Sequence, residues 1–229
     1  MEGQPTMTTA TAEAPSISTL LREGTAAAHA QAENTSFMAH LAKGELSRED
    51  AVNLTAQYYF IYTALEDIAH RGRTTSEAVA TIADARLDRR QALESDLAAM
   101  IGPNWREEIT ALPATTRYVA KLEAISPDNA PAIIAHHYVR YLGDIAGGQV
   151  IARMLEGHYG LTPEELAFYD FSAIGKIPPF RKNYKDALDA LPFNYTERVS
   201  LLTHAENAFC LNSAVFADLA NISPVLQGL

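Results

Sequence analysis

Cysteine, positive charge and long apolar runs are all scarce in this chain of 229 residues, and each scarcity excludes a class of function. One cysteine, Cys210, rules out an internal disulfide and any zinc or iron–sulfur site built on several thiolates, and it fits a reducing, cytoplasmic setting. Lysine and arginine number 18 against 28 acidic residues, a formal charge of −10. A general nucleic-acid binder needs a cationic face, so no nucleic-acid partner is expected. No apolar run approaches the roughly 20 residues that cross a bilayer, so no membrane is expected either. The opening "MEGQPTMTTATAEAPS" has neither the basic start nor the apolar stretch of a signal peptide. Asn-Gly and Asp-Gly hairpin turns, alternating β-branched runs and repeats of twenty to fifty residues are missing too.

What remains is helical. A hydrophobic content of 48% suffices for one sizeable core. Amphipathic stretches lie near 16–33, 47–70, 74–100, 114–125, 129–157, 180–190 and 196–219, with the prolines from Pro103 to Pro192 at the joints between them. "SRED" at 47–50 and "TPEE" at 162–165 carry capping-box signatures, the second with Pro163 at the first helical position. The pattern predicts one all-α domain over residues 16–222, preceded by a disordered tail at 1–15 and followed by a short tail at 223–229.

Within the stretch 129–157, "AHHYVRYLGDIAGGQVIARM" reads as one long helix, yet it holds Gly143, Gly147 and Gly148. Each costs a helix about 1 kcal/mol relative to alanine. Gly143 and Gly147 stand one turn apart on the same face, and Gly148 widens the bare strip. Such a strip lets a flat object approach the backbone; close helix–helix packing or a kink would explain it equally. Asp144 sits among the glycines with Arg140 four residues before it, which also describes a plain helical ion pair.

His29, in "TAAAHAQAE", is cleared by small alanines and has Glu33 one turn later, the spacing at which a carboxylate orients a metal-bound imidazole. A surface His–Glu pair has the same spacing. His136 and His137 are adjacent, about 100° apart on a helix, and make a poor chelate. Arg181, Lys182 and Lys185 flank Phe180 and Tyr184, with Arg22 far upstream. They form either a solvated face or a clamp for the carboxylates of an otherwise apolar ligand.

Together these residues resemble the haem oxygenase family, in particular its bacterial form used in haem iron acquisition. "HHYVRYLGDIAGGQVIARM" is similar to the family's distal-helix signature, "AHAQAE" to its proximal-histidine segment, and "FIYTALE" at 60–66 and "AFCLNSAVFADL" to two further shared segments, in the same order over about residues 16–220. The resemblance implies an all-α fold holding haem b between a proximal and a distal helix. It also implies haem cleavage with O₂ and electrons to biliverdin, CO and ferrous iron, with the α isomer favoured. By position, His29 is then the axial ligand of the iron and Glu33 its orienting partner. Gly143 and Gly147 lie over the ring, and Gly148 completes a flexible bend. Asp144 anchors distal water, and Tyr62, Arg140 and Asn212 join it and keep it ionised. Arg22, Tyr138, Arg181 and Lys185 meet the propionates, and Phe209 lines the pocket. A ferredoxin, flavodoxin or flavin reductase supplies the electrons.

Three departures bear on haem seating. Ala146 stands where serine is common, Arg and Lys are exchanged among Arg22, Arg181 and Lys185, and Pro178 and Pro179 precede the basic helix. A non-catalytic haem carrier or sensor is the alternative; it needs His29 and the basic clamp but not Asp144. A thiaminase-like helical enzyme leaves the glycines unexplained.

Overall fold

The computed structural model describes residues 14–228, and among these there is no β-strand. Residues 1–13 of the expected tail lie outside the described residues. Helices α1 (Ile17–Gly24), α2 (Ala26–Glu33) and α3 (Ser36–Lys43) open the chain, followed by α4 (Arg48–Thr75), α5 (Glu77–Ile82) and α6 (Arg90–Met100). Then come α7 (Trp105–Glu108), α8 (Pro113–Glu123), α9 (Ala130–His137), α10 (Gly143–Tyr159), α11 (Ile177–Asp189), α12 (Tyr195–Ile222) and α13 (Pro224–Gln227).

Local signals account for most boundaries. Ser47 and Asp50 close a reciprocal capping box at the start of α4, and Asn194 and Glu197 do the same for α12. Gly44 and Gly160 end α3 and α10 in the left-handed conformation, at φ 73° and 64°, which glycine adopts without steric cost. Thr162 and Glu165 form the expected box, but it starts only a single 3-10 turn. Pro178 and Pro179 fall inside the first turn of α11, where a missing N–H costs nothing, so the helix begins at Ile177 and not after them.

Four expectations need adjustment. The stretch 16–33 is two helices, because Thr25 turns its hydroxyl back on the Leu21 carbonyl (2.7 Å) and the chain bends there. The stretch 74–100 is divided into α5, a 3-10 turn at Ala85–Leu87 and α6. Helix α3 was not anticipated, and the expected tail at 223–229 includes α13.

Every residue of α9 is buried, so this helix lies in the core, apolar except for His136 and His137. Helices α4 and α12, each 28 residues, pack against it. Helix α2 lies on α12, and α10 rests on α3 and α4. These contacts hold α2 and α10 apart on either side of one cleft.

Candidate functional site

Between α9 and α10, Tyr138–Leu142 form one π-helical turn. The expected single helix over 129–157 is therefore continuous in path but carries a wide turn just before Gly143, the type of interruption that recurs at functional sites. Gly143 and Gly147 follow it with ordinary helical backbone. A Cβ built on either meets nothing within 4 Å, so both face open space. Gly148 does not: its Cβ would lie 3.2 Å from Tyr169 Cδ1. Its bareness serves helix packing on the back of α10, a correction to its expected place against the ligand.

The open space forms two adjoining cavities of about 400 and 120 Å³, both lined by His29, Val139, Gly143 and Phe209. Across from the glycines stands His29 on α2, its side chain half exposed and its ring edge-on to Phe209 at 5.4 Å. His29 Nδ1 lies 3.3 Å from Glu33 Oε2. The contact is an ion-pair distance without hydrogen-bond geometry; a proton held on Nδ1 beside this carboxylate would leave the lone pair on Nε2, the nitrogen then free to bind a metal. Among the described residues no three His, Cys, Asp or Glu side chains gather as a metal site. A single imidazole suits only a metal whose other donors come with it, as in a metalloporphyrin.

The larger cavity is lined by Arg22, Tyr138, Arg181 and Lys185, together with Ala146. Arg181 Nε is buried without a hydrogen-bond partner, an orphan donor that a ligand carboxylate would satisfy. Arg22 and Arg181 lower the Tyr138 hydroxyl, although burial, the larger effect, pushes it up. Of the wider basic group, Lys182 pairs with Asp186 (2.6 Å) and Tyr184 turns inward to His137 (2.8 Å), so neither belongs to the cleft.

The smaller cavity reaches Arg140, Asp144 and Asn212. Here Tyr62, fully buried, donates its hydroxyl proton to Asp144 Oδ2. Arg140 donates from Nε to the Tyr62 oxygen (3.2 Å) and from Nη1 to Asn212 Oδ1 (2.7 Å), while its Nη2 has no partner. The plain Asp144–Arg140 ion pair is thus replaced by a relay through Tyr62. Burial pushes the Asp144 carboxyl above its ordinary value, and Arg140 and Tyr62 only partly offset it. Arg140 and Tyr62 thus act in the expected direction, favouring the ionised carboxyl, and burial opposes them.

Tyr58 was not anticipated. It lines the smaller cavity, and the Arg140 guanidinium stacks over its ring at 4.5 Å, as it does over Tyr62 at 4.8 Å. Its place one turn before Tyr62 on α4 was the available signal.

A family profile described as "Heme oxygenase" matches residues 15–218. "Heme oxygenase 1" of Gallus gallus is 36% identical over 208 residues, covering 90% of this chain and 70% of that protein. Among solved structures, heme oxygenase-2 from Synechocystis sp. PCC 6803, in complex with heme and NO, superposes with a TM-score of 0.88 at 32% identity, covering 94% of this chain and 88% of that one. The heme oxygenase of Leptospira interrogans gives 0.84 at 32% identity, covering 89% and 99%.

Proposed function

This chain belongs to the haem oxygenase family, and on that basis we propose how its own residues carry out the family's reaction. It is an enzyme that degrades haem to biliverdin and CO. Haem b is both substrate and the group that binds and activates O₂. His29 holds the iron through Nε2, with Glu33 fixing the tautomer through Nδ1. Arg22, Tyr138, Arg181 and Lys185 receive the propionates, which supplies the missing partner of Arg181 Nε. Gly143 and Gly147 let the helix backbone lie against the ring, and Phe209 closes the His29 side.

Asp144 is the proton-handling group. It lines the smaller cavity together with His29 and Gly143. Tyr62 and Arg140 hold its carboxyl in place, and burial raises its pKa, so it can pass a proton through water to the reacting oxygen. A carrier or sensor has no use for this relay. The observation that carries the reading is the pairing of the bare face of α10 with His29 across one cleft, with Asp144 at its edge.

The electron source and the compartment are assigned from the resemblance to the bacterial members of the family. Electrons come from a small redox protein, a ferredoxin, flavodoxin or flavin reductase, and the enzyme acts in the cytoplasm, releasing iron from haem as in haem iron acquisition. Among the described residues no helix is long and apolar enough to cross a membrane.

Haem titration tests the seating. His29→Ala should lose the histidine-ligated haem spectrum and turnover, and added imidazole should restore part of both. Glu33→Ala should weaken the ligand without abolishing binding. A wild-type spectrum and rate in His29→Ala would exclude His29 as the ligand.

A further inference from the structure

On the far side of α12 from the cleft, α8, α9 and α12 enclose a cavity of about 360 Å³ lined by Lys121, Ile125, His136, His204, Asn207, Cys210 and Leu211. None of these residues belongs to the haem site. At its floor His136 is only 3% exposed, and its Nδ1 lies 3.3 Å from the hydroxyl of Tyr118, itself fully buried. His136 Nε2 has no hydrogen-bond partner among the described residues, and His136 lines the cavity while Tyr118 does not.

The tautomer follows from hydrogen-bond accounting. Burial pushes the Tyr118 phenol up to about 12, so it keeps its proton, and His136 Nδ1 is its one acceptor among the described residues. The phenol therefore donates and Nδ1 accepts. Burial pushes His136 down to about 3, so the ring is neutral and its single proton resides on Nε2. The cavity floor is an N–H donor. A metal at Nε2 would require the proton on Nδ1 and would strand the Tyr118 hydroxyl proton in the core, so the donor calls for an acceptor ligand.

We propose that this cavity binds a small organic carboxylate. Its oxygens accept from His136 Nε2 and from Asn207 and Lys121 at the mouth, and its apolar body lies against Ile125 and Leu211. Lys121 supplies the charge, the His136 N–H fixes the orientation, and His204, whose ring centroid lies 6.4 Å from that of His136, also lines the cavity.

Calorimetry on the haem-loaded enzyme, in which the basic cleft is already filled, tests this with sodium benzoate and its uncharged analogue benzamide. Benzoate should bind saturably at one site and about tenfold or more tighter than benzamide. Lys121→Met, an exposed substitution that leaves the core alone, should weaken benzoate several-fold, and His136→Phe should abolish its binding. In the wild-type protein, benzoate should shift the His136 Nε2–H resonance, a readout that needs no substitution. Absence of saturable binding, equal affinity for benzamide, or affinity that survives both substitutions would overturn the proposal.

Discussion

Asp144 is pulled two ways. Burial raises its pKa, while Arg140 and the Tyr62 hydroxyl lower it, and burial wins. A carboxyl in that balance can hold and release a proton where an exposed aspartate would stay ionised. His29 and Asp144 were legible in the sequence because their partners are helical neighbours, Glu33 and the flanking glycines. Tyr62 and Asn212 lie 82 and 68 positions from Asp144 in the chain, and only the resemblance connected them to it. Tyr58 was not legible, since an aromatic on a buried helix face looks like core whether or not a guanidinium stacks on it. Arg181 and Lys185 form the cationic clamp in this reading, so Arg181→Glu with Lys185→Glu should alter the ratio of biliverdin isomers and weaken haem binding. An unchanged ratio and affinity, read by product chromatography and titration, would return the pair to a solvated helix face.

The distal helix shows what periodicity can and cannot convey. Its extent, 130–159 against the expected 129–157, was legible from apolar spacing. The π turn at Tyr138–Leu142 was not, because an added residue in one turn leaves the apolar pattern nearly unchanged and is selected by tertiary contacts of buried Arg140 and Tyr141. The glycines likewise divide only in three dimensions, Gly143 lining the cleft, Gly147 one turn on with open space before it, and Gly148 facing Tyr169. Gly147→Ala meets no atom within 4 Å, so it should stabilise the helix by about 1 kcal/mol and raise Tm by roughly 2–4 °C. The same methyl would occupy space against the ring and should weaken haem binding. A variant that gains stability and keeps wild-type haem affinity would show that Gly147 does not face the ligand.

For the molecule as a whole, burial controls the response to acid. His136 and His137, in the all-buried α9, are pushed down to about 3, so the folded state keeps them neutral while the unfolded chain takes up protons near pH 6.5. Their contribution is present above that value and is lost as pH falls towards 3. Asp96, raised by burial to about 6 while it accepts from the Ala167 and Phe168 N–H groups, has the opposite sign and costs stability as pH rises through 6. Asp144 and Glu66, also raised by burial, share the sign of Asp96 and oppose the histidines; both imidazoles should remain neutral by NMR at pH 5. Titration of either near 6.5 would contradict this. The same burial makes the fold legible as all-α, since α4, α9 and α12 carry the core the apolar spacing called for, whereas the cleft is assembled from α1, α2, α3, α4, the π turn, α10, α11 and α12 and is visible only once these are packed. Product analysis of Asp144→Ala with haem, a reductant and O₂ tests that assembly most directly. The variant should bind haem with near wild-type affinity and form biliverdin at least about a hundredfold more slowly; biliverdin at the wild-type rate would contradict the role given to Asp144.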